Sequence, residues 1–149
     1  MPCSVRTKKL IISACLLGEP CRYDGKSKPC ELAEPLKEKY DLIPVCPECM
    51  GGLSTPRAAC EIVGERVLTE QGKDCTAEYT EGAKEVLRLC NENGCTAAVL
   101  KARSPSCGSG EIYDGSFTKT LTAGNGITAE LLLKNGIAVF NENQIDGLL

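Results

Sequence analysis

The chain has 149 residues, a formal net charge of −3, 11 cysteines and no histidine. That length suits one domain with a self-supporting core, and 42% hydrophobic with 25% charged residues is the balance of a globular protein. Without histidine there is no Ser-His-Asp triad, no Cys-His dyad and no His-held zinc or haem, so sulfur chemistry comes to the front.

In chain order, Lys9 to Ala14 is a short β-branched and apolar run, as expected of a strand buried on both faces. It ends at Cys15, and a Gly/Pro-rich loop runs on to Pro29. Glu31 to Tyr40 reads as a helix with Leu32, Leu36 and Tyr40 on one face. Leu42 to Val45 reads as a second short strand, with Pro44 pointing to a strand end. Cys46 to Ala59 is expected to be irregular, and Glu61 to Leu68 to be a hairpin turning at Gly64-Glu65. The clearest helix spans Thr76 to Asn93, with Tyr79, Ala83, Val86, Leu87 and Cys90 as its apolar stripe and Gly94 as its stop. Ala97 to Leu100 is the next strand, Lys101 to Gly126 a polar loop, Thr128 to Asn135 a helix, and Ile137 to Phe140 a last strand. Strands alternating with helices predict an α/β fold, a single Rossmann-like three-layer domain over residues 1–149, with a mostly parallel sheet and a small β-hairpin.

The cysteine count is odd, and the apolar run Leu10 to Ala14 is too short for a signal-peptide core. A reducing, cytoplasmic setting is therefore expected, where clustered cysteines bind metal or catalyse. No run approaches the roughly 20 apolar residues of a membrane span. With no basic block and only six aromatic residues, nucleic-acid binding is disfavoured, although one tRNA-sized partner stays open. Neither a G-x-x-x-x-G-K loop nor a G-x-G-x-x-G after the first strand is present.

Ligand sites of open α/β sheets form outside the carboxyl ends of the strands. Cys15, Cys46 and Cys107 each follow a strand on that side, and would converge at one rim if those strands are neighbours. Cys21 also sits in a Gly/Pro-bounded loop. Cys90 and Cys95 read as core, and Cys3, Cys30, Cys60 and Cys75 as incidental. Cys46-Pro47-Glu48-Cys49 is a C-x-x-C, but Met50-Gly51-Gly52 argues against the helix that a redox dithiol needs. A structural zinc site or a thiol-redox protein using Cys46 and Cys49 is the alternative reading. Arg103 to Gly110 is the densest polar cluster. Glu48 and Glu61 are the carboxylates nearest these loops; a lone glutamate defaults to solvated surface, and Glu48 beside Cys46 is a candidate general base.

The set SACLLG (Ser13–Gly18), CRYDG (Cys21–Gly25), PVCPE (Pro44–Glu48), GGLSTPR (Gly51–Arg57) and RSPSCGSGEIYDG (Arg103–Gly115) resembles the DUF523 family, whose characterised members are thiouracil desulfurases (desulfidases). The resemblance spans Leu10 to Phe140, with Cys49 and Cys60 as departures from the pattern. It implies a [4Fe–4S] cluster held by three cysteines with one iron free of protein ligands. The matching residues are Cys15, Cys46 and Cys107, with Cys21 as the alternative ligand. It further implies non-redox conversion of 2-thiouracil, or a similar thiolated pyrimidine, to uracil by water, the sulfide passing to the open iron and then to an acceptor. Glu48 and Ser104 would be catalytic, and Tyr23, Asp24 and Arg57 would orient the ring. Free base, nucleoside and thiolated tRNA all stay open as substrates.

Overall fold

The structure is a computed structural model that describes residues 8–17, 33–54 and 58–145. Its frame is a four-stranded, wholly parallel sheet of β1 (Lys8–Ser13), β2 (Tyr40–Val45), β5 (Ala97–Val99) and β8 (Ala138–Phe140), in the order β2-β1-β5-β8. The consecutive apolar residues of β1 follow from its central place: Leu10, Ile11 and Ile12 are all buried, alternately against opposite faces. Pro44 sits in β2, an edge strand, where a missing N–H costs least.

One face carries α1 (Ala33–Lys39) and the buried Ile145, packed with Leu36 on Leu10 and Ile12. The other carries α3 (Thr76–Asn93) and α4 (Ile127–Lys134), which bury Val86, Cys90, Ala129 and Leu132 against Ile11 and Ala98. These are the three layers the sequence predicts. The α3 stripe is as expected, and Gly94 closes that helix in the left-handed region at φ 66°. Among the described residues no helix is long and apolar enough to cross a membrane.

The predicted hairpin is β3 (Cys60–Val63) and β4 (Arg66–Thr69), turning at Gly64-Glu65. Three expectations need correction. Tyr40, expected to end the first helix, instead opens β2, since α1 stops at Lys39, and Glu31 and Leu32 of that expected helix lie outside the described residues. The segment 101–126 is not only loop, because β6 (Glu111–Tyr113) and β7 (Leu121–Ala123) form a second antiparallel hairpin inside it. The stretch after Cys46 is not wholly irregular either. Pro47–Met50 makes one helical turn, α2, with Cys46 as its N-cap. Pro47 favours that start by its fixed φ, and the glycine pair ends the turn rather than preventing it.

The connections define where a ligand belongs. From β1 the chain moves outward to β2, then crosses back past β1 to β5 and β8. Successive connections thus leave the middle of the sheet in opposite directions, and the crevice outside the carboxyl ends of β1 and β5 is the switch point.

Candidate active site

A cavity of about 280 Å³ opens at that switch point. Its wall includes Cys15, Cys46 and Cys107, together with Glu48 and Ser104, so five residues singled out from the sequence meet in one space. Cys15 lies in a 3₁₀ turn (Ala14–Leu17) directly after β1, Cys46 follows β2, and Cys107 lies in the loop after β5. Cys15 and Cys107 are buried and Cys46 is half-buried. Cys21, Tyr23, Asp24 and Arg57 lie outside the described residues.

The loop that carries Cys107 is held from several sides. Ser104 Oγ accepts the backbone N–H groups of Ser106 (3.0 Å) and Cys107 (3.1 Å). The first N–H groups of α4 turn back on the same loop, with Ile127 donating to the Pro105 carbonyl and Thr128 to that of Ser106, both at 2.8 Å. Helix N-termini leave such donors unpaired, and here the loop consumes them. The hydroxyls of Ser106 and Thr128, both fully buried, meet at 2.7 Å. Gly126 has to be glycine at this contact, since a Cβ there would lie 2.5 Å from the Ser106 carbonyl. Arg103 enters the loop in the left-handed region at φ 70°.

Directionality follows from donor bookkeeping. Ser104 Oγ already accepts twice, so its single proton is left to donate, and it points to Glu48 Oε1 at 3.4 Å. The other carboxylate oxygen, Oε2, accepts from the Tyr79 hydroxyl at 3.3 Å. Glu48 is thereby gripped on both oxygens by side chains from different elements. Ser13, also in the cavity wall, works in the same way: its Oγ accepts the Lys101 N–H at 2.9 Å and donates to Cys107 Sγ at 3.7 Å.

Burial pushes the Cys107 thiol up to about 12, the charge of Glu48 adds to the rise, and the Ser13 hydrogen bond opposes it. A bare Cys107 therefore stays protonated at neutral pH, and only a partner that stabilises thiolate draws its proton off. Lys101 enters the cavity wall paired with Glu142 at 2.8 Å, and Glu142 also accepts the Ala102 N–H at 2.7 Å.

Two site residues were not visible as such in the sequence. Tyr79 falls on the α3 stripe and reads as core, which its 2% exposure bears out, yet its hydroxyl reaches the cavity. Ser13 ends a buried strand, where nothing in its spacing marks it. Glu61 is not solvated surface; it is 8% exposed and lines the cavity.

The molecule is thus a doubly wound α/β protein with a thiol- and carboxylate-lined pocket at its switch point. A family model described as 2-thiouracil desulfurase matches residues 10–144, and the chain belongs to that family. It is 48% identical to a solved [4Fe–4S]-dependent thiouracil desulfidase, TudS (DUF523Vcz), with a TM-score of 0.91 over 95% of each chain. It is 38% identical to the uncharacterized protein YbbK of Bacillus subtilis (strain 168), covering 94% of this chain and 99% of that one.

Proposed function

We propose that this chain hydrolyses the C–S bond of 2-thiouracil, giving uracil and sulfide, at a [4Fe–4S] cluster held by Cys15, Cys46 and Cys107. The carrying observation is that these three thiols line one cavity with Glu48 and Ser104. Three soft thiolate donors suit an iron–sulfur cluster. When bound, the cluster supplies an iron without a protein ligand, a Lewis acid for the thiocarbonyl sulfur.

The chain's own residues do the rest. Glu48 takes a proton from water, whose oxygen adds to the ring carbon bearing sulfur. Ser104, bonded to the same carboxylate, relays that proton toward the departing sulfur, and the added oxygen gives up its second proton as the ring carbonyl forms, so that water's two protons balance the sulfide that leaves. The C–S bond breaks, uracil leaves, and sulfide passes to an acceptor; no electrons are gained or lost. Tyr23, Asp24 and Arg57 orient the pyrimidine. A compact acidic chain favours a small free pyrimidine over a thiolated tRNA.

One observation favours a second reading. Cys46 caps the turn that contains Cys49, the arrangement a redox dithiol uses. A single turn gives little dipole, and Cys49 is a departure from the family pattern, so the desulfidase reading stands first. The test is anaerobic reconstitution of the wild type and of Cys15→Ala, Cys46→Ala, Cys107→Ala and Cys49→Ala. Iron, acid-labile sulfide and loss of 2-thiouracil absorbance are measured. The first three variants are expected to lose cluster and turnover, and Cys49→Ala to keep both. Full turnover in all of the first three refutes the ligand set, and loss in Cys49→Ala alone supports the dithiol.

A further inference from the structure

Glu61 has a buried carboxylate that the reaction above does not use. It stands on β3, and its Oε1 accepts two backbone N–H groups from the segment between β6 and β7: Gly115 at 2.9 Å and Phe117 at 3.2 Å. Lys119 of that segment and Tyr113, the last residue of β6, form part of the cavity wall. We propose that Glu61 is the latch of this wall, a positioning residue that holds residues 114–119 over the bound pyrimidine. The proposal rests on the desulfidase reading for the identity of the ligand.

Three features make a latch necessary. First, the segment is internally complete. Asp114 takes the Ser116 N–H, its own N–H donates to the Thr120 carbonyl, and the hydroxyls of Ser116, Thr118 and Thr120 form a chain. It can therefore move as a unit. Second, Phe117 and Lys119 are held at φ 60° and 62°, left-handed conformations that non-glycine residues adopt only under constraint. Third, the strands beneath are three residues each, too short to fix the turn alone. Gly115 allows the wall to lie against β3, because a Cβ there would be 2.7 Å from the Ile62 carbonyl oxygen. One carboxylate oxygen on two amides bridges this contact.

A glutamine keeps an acceptor oxygen at that place, while an alanine removes it. Reconstituted Glu61→Ala is expected to raise KM for 2-thiouracil about tenfold, with kcat within about threefold and iron content unchanged. Glu61→Gln is expected to restore KM to within about threefold of the wild type. A readout free of turnover is limited trypsinolysis of the same holoproteins, following by mass the fragment that begins at Thr120, after Lys119. Cleavage there should quicken at least tenfold in Glu61→Ala and stay slow in Glu61→Gln. Wild-type KM and wild-type cleavage in Glu61→Ala overturn the latch. So does Glu61→Gln behaving like Glu61→Ala, which would mean that charge, not acceptance of the two amides, is required. The proteolysis arm reads the wall whatever the substrate. A cluster-loaded wild type that leaves 2-thiouracil intact would refute the desulfidase reading instead.

Discussion

Gly82, in the middle of α3, lies so close to α2 that a Cβ on it would stand 1.8 Å from the Pro47 carbonyl oxygen. The reverse contact is as tight, with a Cβ on Gly51 falling 1.9 Å from the Glu78 carbonyl oxygen. Glycine inside a helix costs about 1 kcal/mol relative to alanine. Its presence at 82 is explained by this approach, which places the turn bearing Cys46 and Glu48 directly on the helix bearing Tyr79.

It follows that Gly82→Ala gains helix propensity yet loses the site. The added methyl displaces α2, and overpacking of this kind costs about 1–3 kcal/mol. A lower Tm together with reduced iron per chain after reconstitution is expected. An unchanged iron content with a raised Tm would contradict the packing argument.

Glu48→Gln separates chemistry from assembly. The amide keeps the size, its oxygen can still accept from Ser104 and its NH2 can donate to the Tyr79 oxygen, but it cannot take a proton from water. General bases contribute about 10²–10⁴-fold, so kcat should fall by about that range while iron and sulfide counts stay at wild-type levels. Single-turnover kinetics on the loaded variant checks this.

Glu142 couples the site to acid stability. Burial raises its pKa, but the Lys101 ammonium and the Ala102 N–H outweigh burial and leave it below the ordinary carboxylate range. A carboxylate depressed in the folded state adds stability that is full above its unfolded pKa and is lost as pH falls through the folded one. Chemical denaturation of Glu142→Gln should therefore show a deficit of about 1–3 kcal/mol at pH 7. That deficit should shrink toward zero as the pH drops below about 4.

Thiol reactivity should sort by environment. Burial pushes Cys60 up to about 12, with the neighbouring Cys75 adding, and Cys90 up to about 11. Both should resist alkylation at neutral pH, whereas Cys46 and Cys49 are half-buried and open to reagent. Timed iodoacetamide labelling of the cluster-free chain, mapped by mass, should find Cys46 and Cys49 modified before Cys60 and Cys90.

What the sequence revealed follows from which signals are periodic. The eighteen residues of α3 carry a stripe repeated over several turns and a glycine stop, so both ends are legible. The short strands declare themselves through unbroken apolar runs, and their alternation with helices implies the parallel sheet that brings Cys15, Cys46 and Cys107 to one rim. The three-residue strands β6 and β7 are hidden because Ser, Thr and Gly dominate around them, a composition shared with loops. Pro47–Met50 is a single turn, too brief for any period to show. Tyr79 and Glu61 mislead for a common reason: a side chain with one end in the core and one in a cavity looks, by type and spacing, like ordinary core or ordinary surface.

The strand order carries a consequence for biogenesis. Cys15, Cys46 and Cys107 are scattered over nearly a hundred residues, and β5, the partner of β1, follows the whole of α3 in the chain. Pairing at such separation is slow compared with local structure. A nascent chain that has emerged only as far as α3 can offer at most two of the three thiols. On the proposed ligand set, iron and sulfide could be held by all three thiols only after the sheet is complete, so a chain that fails to close the sheet would offer no complete receptacle for them.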